Sequence, residues 1–401
     1  MLLKRAMAAK LVSLATGFPV VAVTGPRQSG KTTLVRAVMK KHRYVSLETP
    51  DDRAWATNDP RGFLARFDGP VIIDEVQKVP DLVSWIQTAV DEKRQPGKFI
   101  LTGSHNFLLM QGVSQSLAGR CAILHLLPFS LAELAGRPPL NLASPLPGGA
   151  RPCRPGPSRI TLEETLIAGF YPPVRAAGLA PMDWYGSYIQ TYVEKDVRAA
   201  LNVGDIEAFG RFLRLCAGRS GQLMNLSSLA SDCGITHTTA GRWLSVLEAS
   251  FIVILLRPFY RNYGKRLIKA PKLHFLDCGL LCYLLGIHKS DELHTSANRG
   301  AIFESMVVSE LYKNFANRGE RSPLYHWRDA KGHEVDVLAD LGSRQVPVEA
   351  KSARTVPSDF RSGLDHWRSL AGKSSGRPIL VYGGDEAAVR EDVSLIPWYA
   401  L

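Results

Sequence analysis

Val20-Val21-Ala22-Val23-Thr24-Gly25-Pro26-Arg27-Gln28-Ser29-Gly30-Lys31-Thr32-Thr33-Leu34-Val35 decides how the first part of this chain folds. The apolar run has the length of a buried strand. Gly25 to Thr32 fits G-x-x-x-x-G-K-[ST], and TLVRAVMK continues at helical spacing. Glycines let backbone N–H groups close around an anion without a Cβ in the way. The helix that follows aims its positive end at the same anion. Gly25, Pro26, Arg27, Gln28, Ser29, Gly30, Lys31, Thr32 and Thr33 are therefore the expected cradle of a nucleoside triphosphate. Lys31 would reach its β- and γ-phosphates, and the Thr32 hydroxyl would ligate Mg2+.

The next strands outward supply the rest of such a site. Val71-Ile72-Ile73 is a buried strand that ends in Asp74-Glu75. Asp74 is placed to hold Mg2+ through water, and Glu75 to orient and polarise an attacking water. Phe99-Ile100-Leu101-Thr102-Gly103-Ser104 is a further strand. Ser104 at its end would sense the γ-phosphate, although a plain strand-ending turn accounts for it equally. Arg120, in Leu117-Ala118-Gly119-Arg120, is either a solvated arginine or a finger reaching a neighbouring copy of the chain, which would make the protein a homo-oligomer. Strand candidates Pro19–Thr24, Tyr44–Leu47, Val71–Ile73 and Lys98–Leu101 alternate with helix candidates Lys31–Lys41 and Leu82–Lys93. That order predicts an α/β fold, a P-loop parallel sheet with helices on both faces.

At 401 residues the chain is long for a single core, and two or three domains are expected. Hydrophobic residues at 45% and charged residues at 21% exclude a disordered chain. The net charge of +12 favours a polyanionic partner. The six cysteines show no zinc-finger or redox spacing, and no apolar run reaches membrane-spanning length, so a reduced, cytoplasmic, non-membrane protein is expected. Residues 136–159, with seven prolines and four arginines, cannot sustain a helix or a central strand and read as a loop or linker. The expected organisation is a core at 1–135, this linker, a helical lid at 160–215, a winged helix-turn-helix with a basic wing at 216–294, and an α/β domain at 295–401.

GPRQSGKTTL, VIIDEVQ, FILTGS and SLAGR, followed by LPFSLAEL, resemble the prokaryotic AAA-type ATPases that carry a C-terminal domain of unknown function. The resemblance covers nearly the whole chain. It implies ATP and Mg2+ as cofactors. It also implies a lid near the nucleotide containing a Gly-Gly-Tyr-Pro-like stretch, here Gly169-Phe170-Tyr171-Pro172, with Phe in place of the second glycine. The segment at 271–285, PKLHFLDCGLLCYLL, recurs in that family, and Asp277 in it reads as a helix N-cap without chemistry.

Leu226–Ala230, the turn Cys233-Gly234-Ile235, the N-cap candidate Thr236 and a helix from His237 to Glu248 form a helix-turn-helix pattern. Trp243, Leu244 and Leu247 would face the core, leaving Thr238, Thr239 and Arg242 for the major groove of DNA. A strand Phe251–Leu256 follows. Then Arg257, Arg261, Lys265, Arg266, Lys269 and Lys272, with no acidic residue between them, read as a phosphate-contacting wing. Winged helices also serve as lids and protein-contact modules, so DNA is one of two readings.

Glu304 lies on an amphipathic helix with Val307, Val308, Leu311 and Phe315. Two strands joined by the turn Asp340–Arg344 would set Asp336 beside Glu349, with Lys351 on the same face as Glu349. Carboxylates at Glu304, Asp336 and Glu349 would bind Mg2+. Lys351 would stabilise an attacking water or a developing phosphorane. This stretch resembles the PD-(D/E)xK restriction-endonuclease-like folds, which also serve as non-catalytic binding modules. The leading expectation is ATP hydrolysis coupled to DNA binding and nucleic-acid cleavage. The rival is an ATP-switched binding protein. A P-loop kinase is disfavoured by Glu75.

Overall fold

The computed structural model describes residues 3–104, 117–145, 161–193, 206–260, 270–356 and 360–401. The chain divides into two compact units. One is Met1–Phe129 with Ala249–Phe251 and Phe315–Arg321. The other is Ser130–Glu248, Ile252–Asn314 and Ser322–Leu401.

The first unit is built on five parallel strands: β1 (Val20–Thr24), β2 (Arg43–Ser46), β3 (Val71–Asp74), β4 (Phe99–Thr102) and β5 (Cys121–His125). Their order is β2-β3-β4-β1-β5. Alternation along the strands makes two cores. Val20, Ala22, Val71, Ile73, Phe99 and Leu101 pack with Phe63, Leu82 and Ile86 on one face. Val21, Val23, Ile72 and Ile100 pack with Leu11, Leu34 and Val35 on the other. The expected parallel sheet is thus present. The helices Lys31–Val38 and Leu82–Glu92 stop short of their expected ends. The helices Pro50–Asn58 and Pro60–Ala65 and the strand β5 were not anticipated.

The second unit opens on Ser130-Leu131-Ala132-Glu133-Leu134. Ser130 accepts from the Glu133 N–H at 3.1 Å, and Glu133 accepts from the Ser130 N–H at 2.9 Å, a reciprocal cap that starts the short helix Leu131–Leu134. Of the proline- and arginine-rich stretch, residues 146–159 lie outside the described residues. The helix Ile206–Gly218 runs through residue 215. Asp277 caps the helix Cys278–Leu284 as expected, accepting from Leu280 N–H at 2.9 Å. It also accepts from Phe170 N–H at 2.7 Å and the Tyr185 hydroxyl at 2.5 Å. Gly169 stands at φ 61°, and a Cβ there would lie 2.0 Å from the Tyr185 oxygen. The glycine therefore serves this junction. Phe170, where the related pattern has glycine, is fully buried and carries the Lys313 ammonium 4.0 Å above its ring.

The helices Leu226–Cys233 and His237–Ala249 follow, with Gly234 at φ 69° between them and the Thr236 hydroxyl accepting from Thr239 N–H at 3.1 Å. Trp243, Leu244 and Leu247 are buried, Thr238 and Arg242 are exposed, and Thr239 is half-buried. β6 (Gln222–Leu223), β7 (Val253–Leu256) and β8 (Lys272–Phe275) make a three-stranded antiparallel sheet, order β6-β8-β7. One expectation fails here. Lys272 does not belong to a solvent-facing basic wing: it is 3% exposed in β8, held among carboxylates. Arg257 is exposed; Arg261, Lys265, Arg266 and Lys269 lie outside the described residues.

After the helix Arg299–Asn317 comes a six-stranded sheet of β9 (Leu324–Arg328), β10 (Glu334–Asp340), β11 (Gln345–Lys351), β12 (Ile379–Tyr382), β13 (Ala388–Arg390) and β14 (Val393–Pro397). Its order is β13-β14-β12-β11-β10-β9. β10 runs antiparallel to both β9 and β11, β12 runs parallel to both β11 and β14, and β13 is antiparallel to β14. The helix Ser362–Ala371 buries Leu364 and Trp367.

Candidate functional site

The loop after β1 is shaped by two glycines at positive φ, Gly25 at 142° and Gly30 at 92°. At Gly25 a Cβ would meet the Leu126 carbonyl oxygen at 2.1 Å, so this approach of backbone to backbone is open to glycine alone. The buried Lys31 ammonium donates to the carbonyls of Gly25 and Pro26 at 3.0 and 2.8 Å. Burial pushes its pKa down to about 8 against the pull of Glu75 and Asp74. The Ser29 hydroxyl is buried with no hydrogen-bond partner among the described residues. A loop with an orphaned hydroxyl and an ammonium folded onto its own carbonyls suits a bound polyanion. Gln28 and Thr33 are exposed.

Asp74, at the end of β3, is where the site converges. Its carboxylate accepts from Thr32 at 2.9 Å, Tyr44 at 2.8 Å and Glu75 N–H at 3.2 Å, and from Thr102. Thr102 sits on β4, the strand between β1 and β3, and so bridges the loop to the acidic end of β3. Burial and the Asp74 carboxylate raise the Tyr44 hydroxyl to about 12, so it stays a donor. Glu75 sits at φ 56°, a left-handed conformation that costs a non-glycine residue about 1–3 kcal/mol. Gln77 donates to Glu75 and, at 3.0 Å, to the Ser104 hydroxyl. The structure brings Thr32 to Asp74 and links Glu75 to Ser104 through Gln77, while Lys31 lies on the carbonyls of its own loop. It places Arg120 elsewhere, paired twice with Asp91 at 2.5 and 3.0 Å.

Four participants were missed from sequence, one of them Thr102, which stood in the quoted FILTGS without a role. Tyr44 read as a strand residue. Gln77 stood in the quoted VIIDEVQ without a role. Arg5 had no part in the sequence reading of the site, yet it is buried and donates to the Ser29 carbonyl at 2.8 Å and the Leu127 carbonyl at 2.6 Å. Arg5 therefore fixes the back of the loop. Only Gln77 had a local signal, two positions after Glu75.

In the second unit the turn from β10 to β11 pairs Val337 with Val348, and the residues one step further along each strand, Asp336 and Glu349, come close enough to interact electrostatically. Asp336 accepts from Ala350 N–H at 3.0 Å, and Lys351 pairs with Glu349 at 2.7 Å. Lys272 adds a second cation. Its ammonium contacts Glu334, Glu304 at 2.9 Å and Asp336 at 3.7 Å. Burial alone would lower its pKa, but these carboxylates outweigh burial and hold it above the ordinary lysine value. Burial, then Asp336, raises Glu304 to about 7 and Glu349 to about 8. Glu349 Oε2 and His274 Nε2 are buried without hydrogen-bond partners among the described residues. An oxygen set with one unused carboxylate oxygen suits Mg2+ in kind. The Lys272 ammonium holds the position between Glu304, Glu334 and Asp336.

Residues 17–135 match an AAA domain family, residues 159–291 a domain of unknown function (DUF8612), and residues 299–401 a second domain of unknown function (DUF4143). Uncharacterized proteins of Mycobacterium bovis and Mycobacterium tuberculosis are each 33% identical over 385 residues, covering 95% of this chain and 80% of theirs. Among solved structures, a Walker-type ATPase of Pyrococcus abyssi aligns at TM-score 0.41 with 16% identity, over 69% of this chain and 94% of its own. The Holliday junction branch migration motor RuvB of Thermotoga maritima aligns at TM-score 0.29 with 16% identity, over 63% of this chain and 90% of its own. The matched domain and the geometry around Lys31 and Asp74 make residues 17–135 a P-loop domain of the AAA type. The chain belongs to the family of the two mycobacterial proteins. No helix among the described residues is long and apolar enough to cross a membrane.

Proposed function

We propose that this chain hydrolyses ATP with Mg2+ and couples the cycle to DNA. The observation that carries the first half is the convergence of Thr32, Tyr44 and Thr102 on Asp74, next to a strained Glu75 whose carboxylate is held by Gln77. Mg2+ held there would supply positive charge to offset that of the phosphates. Asp74 and Thr32 would hold it. Lys31 would leave the loop carbonyls for the phosphates. Glu75 would orient water, and Ser104, tied to Glu75 through Gln77, would report whether the γ-phosphate is present. Glu75→Gln is expected to lower phosphate release from ATP by about 100-fold or more while leaving Mg-ATP affinity within a few-fold of wild type. Phosphate release at the wild-type rate by a folded Glu75→Gln protein would refute this role.

The DNA half rests on the second unit. The helix pair with its three-stranded sheet is read as a winged helix whose exposed Thr238, Arg242 and Arg257 face a duplex. The six-stranded sheet, with Asp336, Glu349 and Lys351 on β10 and β11, is read as a PD-(D/E)xK-like domain that cleaves nucleic acid. Divalent-metal-dependent nicking of DNA is expected, and it should vanish in Asp336→Ala and in Lys351→Ala. Lys272 favours a second reading, since its ammonium already neutralises the carboxylates. In that reading the domain binds a partner without cleaving, and ATP occupancy is the switch. Equal nicking by wild type and both variants, or none by any of them, would leave the second reading standing. If no duplex is retained even at low salt, both DNA readings fall. An arginine finger acting on a neighbouring copy would require Arg120 to release Asp91 first.

A further inference from the structure

A second cluster in the six-stranded sheet domain is absent from both readings. Asp329 follows β9 and opens the turn Asp329–His333, closed by Asp329 N–H donating to the His333 carbonyl at 3.0 Å. Gly332, at φ 92°, supplies the turn's left-handed residue. The Asp329 carboxylate is anchored by this turn, since Oδ1 accepts from the N–H groups of Lys331 and His333 at 2.9 and 3.0 Å. That leaves Oδ2, which faces His333 Nδ1 at 2.9 Å and His366 Nε2 at 3.3 Å. His366 comes from the helix Ser362–Ala371, and the two imidazoles stack at 3.8 Å with 13° between their planes. One ligand atom from each residue lies within 4.8 Å of the others. A tetrahedral Zn2+ site has ligand–ligand edges of roughly 3.4 Å, so closure needs only side-chain adjustment. The three side chains are 19 to 37% exposed, which leaves an entry path.

We infer that Asp329, His333 and His366 form a binding site for a zinc-class transition-metal dication, which would clasp the turn after β9 to the helix Ser362–Ala371. Two imidazole nitrogens and one carboxylate oxygen suit Zn2+, Co2+ and Ni2+, whereas Mg2+ prefers an all-oxygen set. The site differs in ligands and in preferred ion from the carboxylate set around Lys272, and it depends on neither ATP hydrolysis nor DNA cleavage. The Trp327 ring, 5.8 Å from that of His366, offers an optical reporter.

The test titrates metal-free full-length protein with Zn2+ by calorimetry and with Co2+ by visible absorption, both under excess Mg2+. One equivalent is expected, with tryptophan emission quenched by Ni2+ and the melting temperature raised several degrees by Zn2+. His366→Gln keeps a side chain able to donate to Asp329 but removes a ligand. It should bind Zn2+ at least tenfold more weakly and lose the melting shift, and His333→Ala should do the same. Asp336→Ala should bind as wild type does. Absence of saturable Zn2+ binding by folded wild type would overturn the site, as would wild-type affinity in His366→Gln and His333→Ala. Loss of binding in Asp336→Ala alone would also overturn it, assigning the ion to the other carboxylates.

Discussion

Lys31→Met is expected to reduce Mg-ATP affinity by at least about 100-fold and phosphate release to background, without destabilising the nucleotide-free protein. Methionine keeps the apolar stem and removes only the ammonium. In the nucleotide-free chain that ammonium is a burden. It is 6% exposed, and its pKa falls from about 10.5 to about 8, with burial as the leading cause. Between those values the unfolded chain holds more protons than the folded one, so stability rises with pH from about 8 toward 10.5. Below about 8 the cost of burying the charge is carried in full. Removing the charge therefore offsets the loss of the two bonds to Gly25 and Pro26, and the melting temperature at pH 7 should stay within a few degrees of wild type. The rise in stability above pH 8 should flatten in the variant. With a triphosphate bound, the same ammonium gains charge-assisted bonds worth about 1.5–3 kcal/mol each, which sets the scale of the affinity loss. Calorimetric titration with Mg-ATP and scanning calorimetry from pH 7 to pH 10 read both effects. Undiminished Mg-ATP binding by Lys31→Met would refute the assignment, and a collapse of the melting temperature would show the lysine to be structural.

How far these sites could be read from sequence follows from how local each one is. The phosphate loop was legible because its glycines, lysine and threonine are contiguous, and their backbone geometry needs nothing from afar. β1, β3 and β4 were legible because strands buried on both faces read as unbroken apolar runs. The closeness of Asp336 to Glu349 was legible because a short turn fixes the register of an antiparallel pair. Lys272 was not legible. In Pro271-Lys272-Leu273-His274 it looks like the end of a basic stretch, and its burial is explained only by Glu304, 32 positions on, and by Glu334 and Asp336 beyond it. Arg5 and Tyr44 were missed for the same reason: the groups they serve are 24 and 30 positions away. The buried pair of Glu310 and Lys313, 2.8 Å apart, was hidden by another effect. At three residues' spacing on a helix it resembles an ordinary surface pair, and the Leu131 N–H donating to Glu310 at 2.7 Å and the Phe170 ring under the Lys313 ammonium mark it as interior.

Lys272→Met is expected to cost about 3–5 kcal/mol at pH 8, the scale for removing one partner from a buried ionic cluster. The ammonium is 3% exposed and faces Glu304, Glu334 and Asp336, so its loss leaves three acidic groups with their central counter-charge gone. The pH dependence separates this from a packing defect. Glu304 and Glu349 are raised from about 4.5 to about 7 and about 8 by burial and by Asp336. Across that window the folded chain holds more protons than the unfolded one, so these groups lower stability as pH rises, and their cost is complete above about 8. Lys272 acts in the opposite sense. Its folded pKa lies above the ordinary lysine value, so its stabilisation is fully present throughout this window and is lost only as pH rises through the higher folded value. Without it, the deficit should be smallest near pH 5, where the carboxyls can take up protons, and largest near pH 8. Adding Glu304→Gln to Lys272→Met should recover part of the loss, because one uncompensated charge disappears. Mn2+ at millimolar concentration should also recover part of it, and more in the variant than in wild type, since a dication can take the place the ammonium vacates. Urea unfolding of the second unit at pH 5 and pH 8, with and without Mn2+, measures each of these differences. A deficit equal at both pH values and untouched by Mn2+ would mean that Lys272 contributes through its apolar stem, and the carboxylates would need another source of balance.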